Sequence, residues 1–506
     1  MRTRSPFHIQ ELVEEISKYL EKSDLARCAQ VCKAWYEGHI PLLYRQVRYD
    51  KNSRDNETLW TGFQRYSHHI RAFAASAEIF PDPLLLGSQC RHLTELSLGP
   101  LDFLEQPDRS HARLRELIVQ NPSIRTLQID LRRHLSGILF RGHNILRLMP
   151  SLKNLAILDD RYPYAKGSQC NGAFEAILEC GSQLETLTYQ IFWGGSDRAV
   201  SGSEPDDDAY RDAKPWTGLS SLTICGYDGW RELELVKRSP NLRRLNARFK
   251  KMNCDSVLLQ MALLYQSGHP SRLEHLELSH LRGQRAQTAL EMLLQSCART
   301  SCLRTISLYE SYISETTTEI LLTYHGNTLE RAAMANSNWT NPYDFCRMFT
   351  MCPQLKHLEA TGRGDKLWLQ HLVQSPWACM DLRTLNLTII EETLLYYGGE
   401  PAGMSSGERA STAEGSTNND EPVVEPQRLF WRKIGMLKDL GSLHINMSTP
   451  HSTGTKLLSI VDADVEHLCR LTRLWELRIP SDQDFITDAV KEELHRRRPG
   501  LRVIYA

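Results

Sequence analysis

A hydrophobic pattern of the form L-x-x-L-x-L, with conservative replacements, returns along the chain from residue 70 onward. Typical copies read LTELSL at 93–98, LEHLEL at 273–278 and LRTLNL at 382–387. Successive copies begin 23 to 35 residues apart, apart from one interval of 58 residues. The first positions of the copies are Ile70, Leu93, Ile124, Leu152, Leu184, Leu219, Leu242, Leu273, Leu303, Leu329, Leu355, Leu382, Leu440, Leu474 and Leu501.

The single long interval has a simple cause in the composition of the chain. It contains residues 398–427, a low-complexity stretch rich in Gly, Ser, Glu and Pro. Without those 30 residues the interval is 28, which agrees with its neighbours. A segment with so few apolar residues cannot form a packed core, so we predict a disordered surface insertion at 398–427.

Each copy has the period of two that is typical of a strand with one buried face. A loop and usually a helix follow, such as CDSVLLQMALLYQ at 254–266. The copies resemble long leucine-rich repeats, although the Asn that many such repeats place after L-x-L is mostly missing. One repeat cannot bury its apolar face alone, so neighbouring repeats must stack. The predicted fold class is therefore α/β: a curved leucine-rich-repeat solenoid of irregular repeats with a parallel concave sheet and convex helices.

In the first fifty residues the apolar side chains have the spacing of helices instead. Leu12, Ile16 and Leu20 fall at i, i+4 and i+8 and predict one apolar stripe of a short helix. Ser23-Asp24 offers an N-cap and a first-turn acid for a second helix. A third helix, KAWYEGHI, is predicted to stop at Pro41. Three such short helices cannot enclose a large core, so they must lean on the solenoid or on a partner.

Residues 7–47 resemble the F-box, a three-helix module. The matching residues are Glu11, Leu12, Ile16, Tyr19-Leu20, Asp24-Leu25, Val31-Cys32-Lys33-x-Trp35 and Pro41-Leu42-Leu43-Tyr44-Arg45. The family usually opens with Leu-Pro where this chain has His8-Ile9, at the first anchor of the partner interface. A repeat solenoid directly downstream is the arrangement of F-box leucine-rich-repeat proteins, many of them fungal. We therefore expect an F-box at 6–47, a connector at 48–69 with a helix over 58–67, and a solenoid of about 15 repeats at 70–506.

The resemblance implies the substrate-recognition subunit of an SCF-type cullin-RING ubiquitin ligase. In that family the F-box docks on the Skp adaptor, which links it to cullin and RING subunits, and the repeats bind the protein to be degraded. The chain itself would be a non-catalytic substrate adaptor. The expected adaptor-binding residues are Leu12, Ile16, Leu20, Asp24, Leu25, Val31, Cys32 and Trp35, with Leu25 and Trp35 as anchors. The alternative for each of these residues is that its side chain only packs in the core of the three-helix unit.

A ligand of the solenoid would be recognised by the outward strand positions between the leucines. The candidate substrate-binding residues there are Arg244, Asn246, Arg248, His275 and Glu277. Arg244 and Arg248 form a local basic pair that would suit an acidic substrate. The alternative for these positions is an ordinary solvated face of a sheet.

Two other functions remain open. The chain could be a plain repeat scaffold whose N-terminal helices are only a cap; a cap buries the apolar stripe, whereas a receptor leaves part of it free. An enzymatic reading rests only on Gly403–Gly407, which matches G-x-S-x-G. That motif needs a strand before it and a helix after it, and both flanks here are low-complexity.

The composition of the chain also bears on its partners, its metal and cofactor sites and its location. Lys and Arg number 60 against 61 Asp and Glu, which argues against nucleic acid or an anionic membrane as the main partner. The acidic N-terminus lacks the apolar run of a signal peptide, and no stretch of 18 apolar residues exists. The 13 cysteines contain no C-x-x-C pair, so we expect reduced thiols, no metal site and no cofactor. We expect a cytoplasmic or nuclear protein.

Overall fold

The structure is a computed structural model. It describes residues 10–49, 57–75, 89–99, 107–130, 144–159, 171–191, 214–226, 230–249, 254–267, 272–299, 303–339, 342–361, 367–390, 426–447, 460–480 and 485–505. His8-Ile9, the G-x-S-x-G motif at 403–407 and nearly all of the predicted insertion at 398–427 lie outside these residues. Residues 426 and 427 of that predicted insertion begin a helix. The chain divides into two compact units, Met1–Leu273 and Glu274–Ala506.

The first unit begins with helices and continues with parallel strands and helices that alternate along the chain. Its strands are β1 Gln46–Tyr49, β2 Ala72–Ala75, β3 Glu95–Leu98, β4 Thr126–Asp130, β5 Asn154–Asp159, β6 Thr186–Ile191, β7 Ser221–Gly226 and β8 Arg244–Phe249. Its helices are α1 Gln10–Ser17, α2 Lys22–Cys28, α3 Lys33–Leu43, α4 Glu57–Tyr66, α5 Pro107–Gln120, α6 Asn171–Cys180, α7 Trp230–Lys237 and α8 Cys254–Gln266. Consecutive strands from β1 to β8 pair in parallel.

The second unit has the same alternation. Its strands are β9 His275–Ser279, β10 Thr305–Tyr309, β11 Tyr312–Ile313, β12 Arg331–Ala333, β13 Asn338–Trp339, β14 His357–Ala360, β15 Leu367–Trp368, β16 Thr384–Ile390, β17 Ser442–Met447, β18 Glu476–Ile479 and β19 Arg502–Tyr505. Its helices are α9 Gln284–Ala298, α10 Glu315–His325, α11 Pro342–Met351, α12 Leu369–Gln374, α13 Pro426–Ile434, α14 Asp462–Cys469 and α15 Asp488–Arg497. Strands β9, β10, β12, β14, β16, β17, β18 and β19 pair in parallel in that order, and consecutive helices pack on one another.

The repeat pattern in the sequence explains this architecture. A strand begins two residues after each predicted first position from Ile70 to Leu474, and those first positions are at most 1% exposed. The third and fifth residues after each first position point inward as well; Leu385 and Leu387 of β16 are typical and fully buried. The predicted α/β repeat solenoid with parallel strands is confirmed.

Serine takes over the structural role of the missing Asn in two repeats of the second unit. Ser311 and Ser337 each lie eight residues after a first position, and both are almost fully buried. The Ser311 hydroxyl accepts the main-chain N–H of Leu281 at 3.2 Å, and the Ser337 hydroxyl accepts that of Ser311 at 3.4 Å. The Ser337 hydroxyl also donates to the Leu308 carbonyl at 2.9 Å. Neighbouring repeats are thus tied together where their strands end, because each buried N–H finds a partner.

Two details of the strands differ from the prediction. Strand β1 was not predicted, because the residue at its first position is Tyr44 and not an aliphatic residue. In the last repeat, Leu501 is buried like the other first positions, but strand β19 begins one residue after it, with Arg502 as the register partner of Glu476.

Within the described residues, no helix is long and apolar enough to cross a membrane.

Candidate functional site

The three N-terminal helices pack around a very small interior. Val13 of α1, Leu25 of α2 and Ile40 of α3 are buried, as is His39. Helices α1 and α3 approach closely at Gly38, where a Cβ atom would lie 3.2 Å from a methyl carbon of Val13. The imidazole of His39 donates from Nδ1 to the main-chain carbonyl of Trp35 at 2.8 Å, which gives this buried ring nitrogen a partner. This core is far too small to cover every apolar side chain of the module.

The inward face of α1 is not the stripe that the sequence predicts. Val13 and Ser17 are the buried positions, and Leu12 and Ile16 are 43% and 47% exposed. Ser17 tolerates burial because its hydroxyl donates to the Val13 carbonyl at 2.6 Å. Helix α1 ends at Ser17, so Leu20 does not continue the helical stripe. The predicted stripe is therefore the outer face of this helix.

Among the described residues of the module, four large apolar side chains remain exposed, and we call them the exposed apolar set. They are Leu12, Ile16, Tyr19 and Val31. Tyr19 follows α1 and is 86% exposed, whereas Val31 lies between α2 and α3 and is 65% exposed. Several uncovered apolar side chains on so small a module are typical of a surface that binds another protein. Tyr19 belongs to the matching residues in the sequence but was not among the predicted adaptor-binding residues.

The other predicted adaptor-binding residues take different places. Leu25 is only 7% exposed and belongs to the interior of the module. Trp35 is half-buried and stacks on the His39 ring at 5.3 Å between ring centroids. Leu20 and Asp24 are also half-buried, and Cys32 is exposed at the N-cap of α3. The role of each residue in binding remains a prediction.

Two predicted helix boundaries in this module were wrong. Helix α2 begins at Lys22 with Glu21 as its N-cap, so Asp24 is in the first turn but Ser23 is not the cap. Helix α3 continues through Pro41 to Leu43. Proline is tolerated there because it lies in the last turn, where the helix loses a single hydrogen bond, and the Tyr44 N–H still donates to the Ile40 carbonyl at 3.1 Å.

A cluster of tyrosines joins the three-helix module to helix α4. The hydroxyls of Tyr36 and Tyr66 hydrogen-bond to each other, and the rings of Tyr44 and Tyr66 lie 4.6 Å apart. The hydrogen bond to Tyr36 raises the pKa of Tyr66, and burial raises the pKa of Tyr44. Lys22 adds a hydrogen bond to the carbonyl of Gln46 in β1 at 2.9 Å. The sequence pattern did not predict this junction because its aromatic residues share no period.

The predicted substrate-binding residues fall in both units. Arg244 and Arg248 are exposed on β8 of the first unit, with Asn246 half-buried between them. Their register partners on β7 are Ser221, Cys225 and Thr223. His275 and Glu277 are half-buried on β9 of the second unit, opposite Thr305 and Ser307 of β10. All five occupy outward strand positions, and their contact with a substrate remains a prediction.

Buried cysteines in the repeats offer no reactive thiolate. Burial raises the pKa of Cys90, Cys180 and Cys352 to about 12, so these thiols stay protonated at neutral pH. In the part of the chain that the structure describes, no group of three or more His, Cys, Asp or Glu side chains is arranged to hold a metal ion.

Comparison with known proteins identifies the N-terminal module. The model of the family described as F-box-like matches residues 10–49, which span α1 to β1. A comparison with the curated proteins finds no match. Among solved structures, the crystal structure of the Rad7 and Elc1 complex in yeast is similar with a TM-score of 0.36 and 14% identity, over 77% of this chain and 93% of that chain. A likeness at this level says nothing about function. The chain thus combines an F-box-like domain with a solenoid of leucine-rich repeats.

Proposed function

We propose that this chain is the substrate-recognition subunit of an SCF-type ubiquitin ligase. The F-box-like domain would dock on a Skp-type adaptor, and through it on cullin and RING subunits, while the repeats hold the target protein. Ubiquitin transfer would take place on the other subunits, so the chain has no catalytic role of its own. The observation that carries the proposal is the exposed apolar set on a domain that matches the F-box-like family.

The exposure of α1 favours this function over a plain scaffold with a helical cap. A cap would bury its apolar stripe against the first repeat. In this chain the module is already attached to α4 through Tyr36 and Tyr66, and to β1 through Lys22 and Gln46. Leu12 and Ile16 nevertheless remain exposed. Attachment to the repeats therefore leaves an apolar surface free for another protein.

The division of the chain belongs to the same proposal. We assign adaptor docking to residues 6–47, a connection to 48–69, and target binding to the repeats at 70–506. Helices α1 to α3 lie within the first segment and α4 within the second, which supports these assignments.

The test is reconstitution of the complex from purified full chain, Skp-type adaptor, cullin and RING protein. Size-exclusion chromatography with mass measurement should show one assembly that contains the full chain. The variant Leu12→Ser/Ile16→Ser/Val31→Ser should stay folded and drop out of the assembly. Leu259→Ser/Leu263→Ser is a matched control, because these two leucines of α8 are 39% and 44% exposed outside the F-box-like domain. If the wild-type chain does not enter the assembly, or if the triple variant enters it as readily, the proposal is wrong.

A further inference from the structure

Cationic side chains gather in the second unit where three neighbouring strands begin. Arg331 of β12, His357 of β14 and Thr384 of β16 are register partners across the sheet. Lys356 and Arg383 come directly before His357 and Thr384 in the chain. We call Arg331, Lys356, His357 and Arg383 the cationic cluster. It draws on three repeats, so residues 26 and 27 positions apart in sequence come together on one edge.

The carboxylate beside the cluster is already satisfied. Glu330 accepts hydrogen bonds from Lys356 at 2.7 Å and from Arg304 at 3.1 Å. These two cations hold the pKa of Glu330 below its usual range. Arg331 and Arg383 are exposed, and neither has a salt-bridge partner among the residues that the structure describes. The cluster therefore presents two guanidinium groups that its own surroundings do not neutralise.

The pKa of His357 is affected by the same positive side chains. Burial lowers the pKa of His357, and Arg331, Arg383 and Lys356 lower it further, while Glu330 opposes them. His357 also hydrogen-bonds through Nδ1 to the Thr384 hydroxyl on the neighbouring strand at 3.1 Å. Burial and the three neighbouring cations together therefore disfavour the charged form of the imidazole.

The spacing of the arginines suits an extended peptide. Adjacent strands lie about 4.8 Å apart, so two strand spacings separate the register positions of Arg331 and Thr384 by about 10 Å. An extended chain covers that distance in about three residues. Guanidinium groups bind carboxylates through paired, charge-assisted hydrogen bonds.

We propose that the cationic cluster binds an acidic segment of the target protein, with Asp or Glu carboxylates on Arg331 and Arg383. The proposal rests on the proposed function only in assigning target binding to the repeats. Nucleic acid fits less well, because the cluster contains no Phe, Tyr or Trp on which bases would stack.

The test uses the full chain alone, without adaptor, and fluorescence anisotropy. The probe is a short labelled peptide with Glu at every third position and Ser between, compared with the same peptide carrying Gln in place of Glu and with a single-stranded oligonucleotide of equal length. The wild-type chain should bind the Glu peptide more tightly than either comparison probe. Arg331→Gln/Arg383→Gln should weaken that binding about tenfold or more. Thermal unfolding of each variant verifies that it is folded.

Arg91→Gln/Arg125→Gln is the matched control, since both arginines are exposed in the first unit and the charge change is the same. It should leave peptide binding unchanged. Equal weakening by the control, tighter binding of the oligonucleotide, or no binding of the Glu peptide would each overturn the proposal. Because the adaptor is absent, failure here leaves adaptor docking untouched, and failure of adaptor docking leaves this result standing.

Discussion

Truncating the exposed apolar set should weaken adaptor binding without weakening the fold. Leu12 and Ile16 are 43% and 47% exposed, and Val31 is 65% exposed. Complete burial of such a side chain is worth about 1.5–3 kcal/mol, so covering the exposed half is worth about 1 kcal/mol for each residue. Each single alanine variant should therefore lose about fivefold in affinity, and the triple variant about a hundredfold.

Isothermal titration calorimetry of full-chain variants with purified adaptor measures these losses. Leu259→Ala/Leu263→Ala should bind like the wild type, because those leucines lie outside the F-box-like domain with similar exposure. Leu25→Ala should behave differently: Leu25 is interior, so its truncation should lower the free energy of unfolding by about 2 kcal/mol or more as well as any affinity. Wild-type affinity in a folded Leu12→Ala/Ile16→Ala/Val31→Ala variant would refute the assignment of the interface.

Three further predictions concern the repeats. His325 is fully buried, donates to a carbonyl of α9 at 3.1 Å, and has its pKa lowered by burial, so the unfolded chain takes up the proton first as pH falls. The free energy of unfolding should drop by up to about 1.4 kcal/mol per pH unit below pH 6.5. Urea titrations at several pH values should show that this free energy depends less steeply on pH in His325→Leu than in the wild type; an equal dependence on pH would contradict this. Gly181→Ala would place a methyl group against the buried Trp216 ring, so calorimetry should show a first unit less stable by about 1–3 kcal/mol, and an unchanged melting temperature would argue otherwise. Ser337→Ala should lower stability by about 1–2 kcal/mol and speed hydrogen exchange at the Ser311 amide, whereas unchanged exchange would remove the serine from its bridging role.

The repeats were predictable because each repeat contains its own leucines at fixed positions relative to its strand. Each first position needs an aliphatic side chain with a strand two residues later, so a regular interval is visible in the sequence. Strand β1 was not predicted, because Tyr44 and not an aliphatic residue occupies its first position. The serine bridges were also missed, since Ser311 and Ser337 replace an amide by a hydroxyl that offers one donor and an acceptor to the same main-chain groups.

The two faces of the N-terminal helices were not predictable in the same way. Leu12 with Ile16, and Val13 with Ser17, are both pairs at i and i+4, and a short helix presents either one inward. The choice depends on Gly38 of α3, which lets α1 approach at Val13. The cationic cluster was not predicted for another reason: Lys356 and Arg383 precede their strands, so they lie outside the pattern of outward strand positions.

Hydroxyl-radical footprinting of the full chain with and without the Skp-type adaptor tests most directly whether the exposed apolar set docks the adaptor. The adaptor should protect Leu12, Ile16, Tyr19 and Val31 from oxidation. Leu259 and Leu263, which are exposed outside the F-box-like domain, should be oxidised equally in both samples. A complex that forms while the exposed apolar set stays fully reactive would contradict the claim that this surface docks the adaptor.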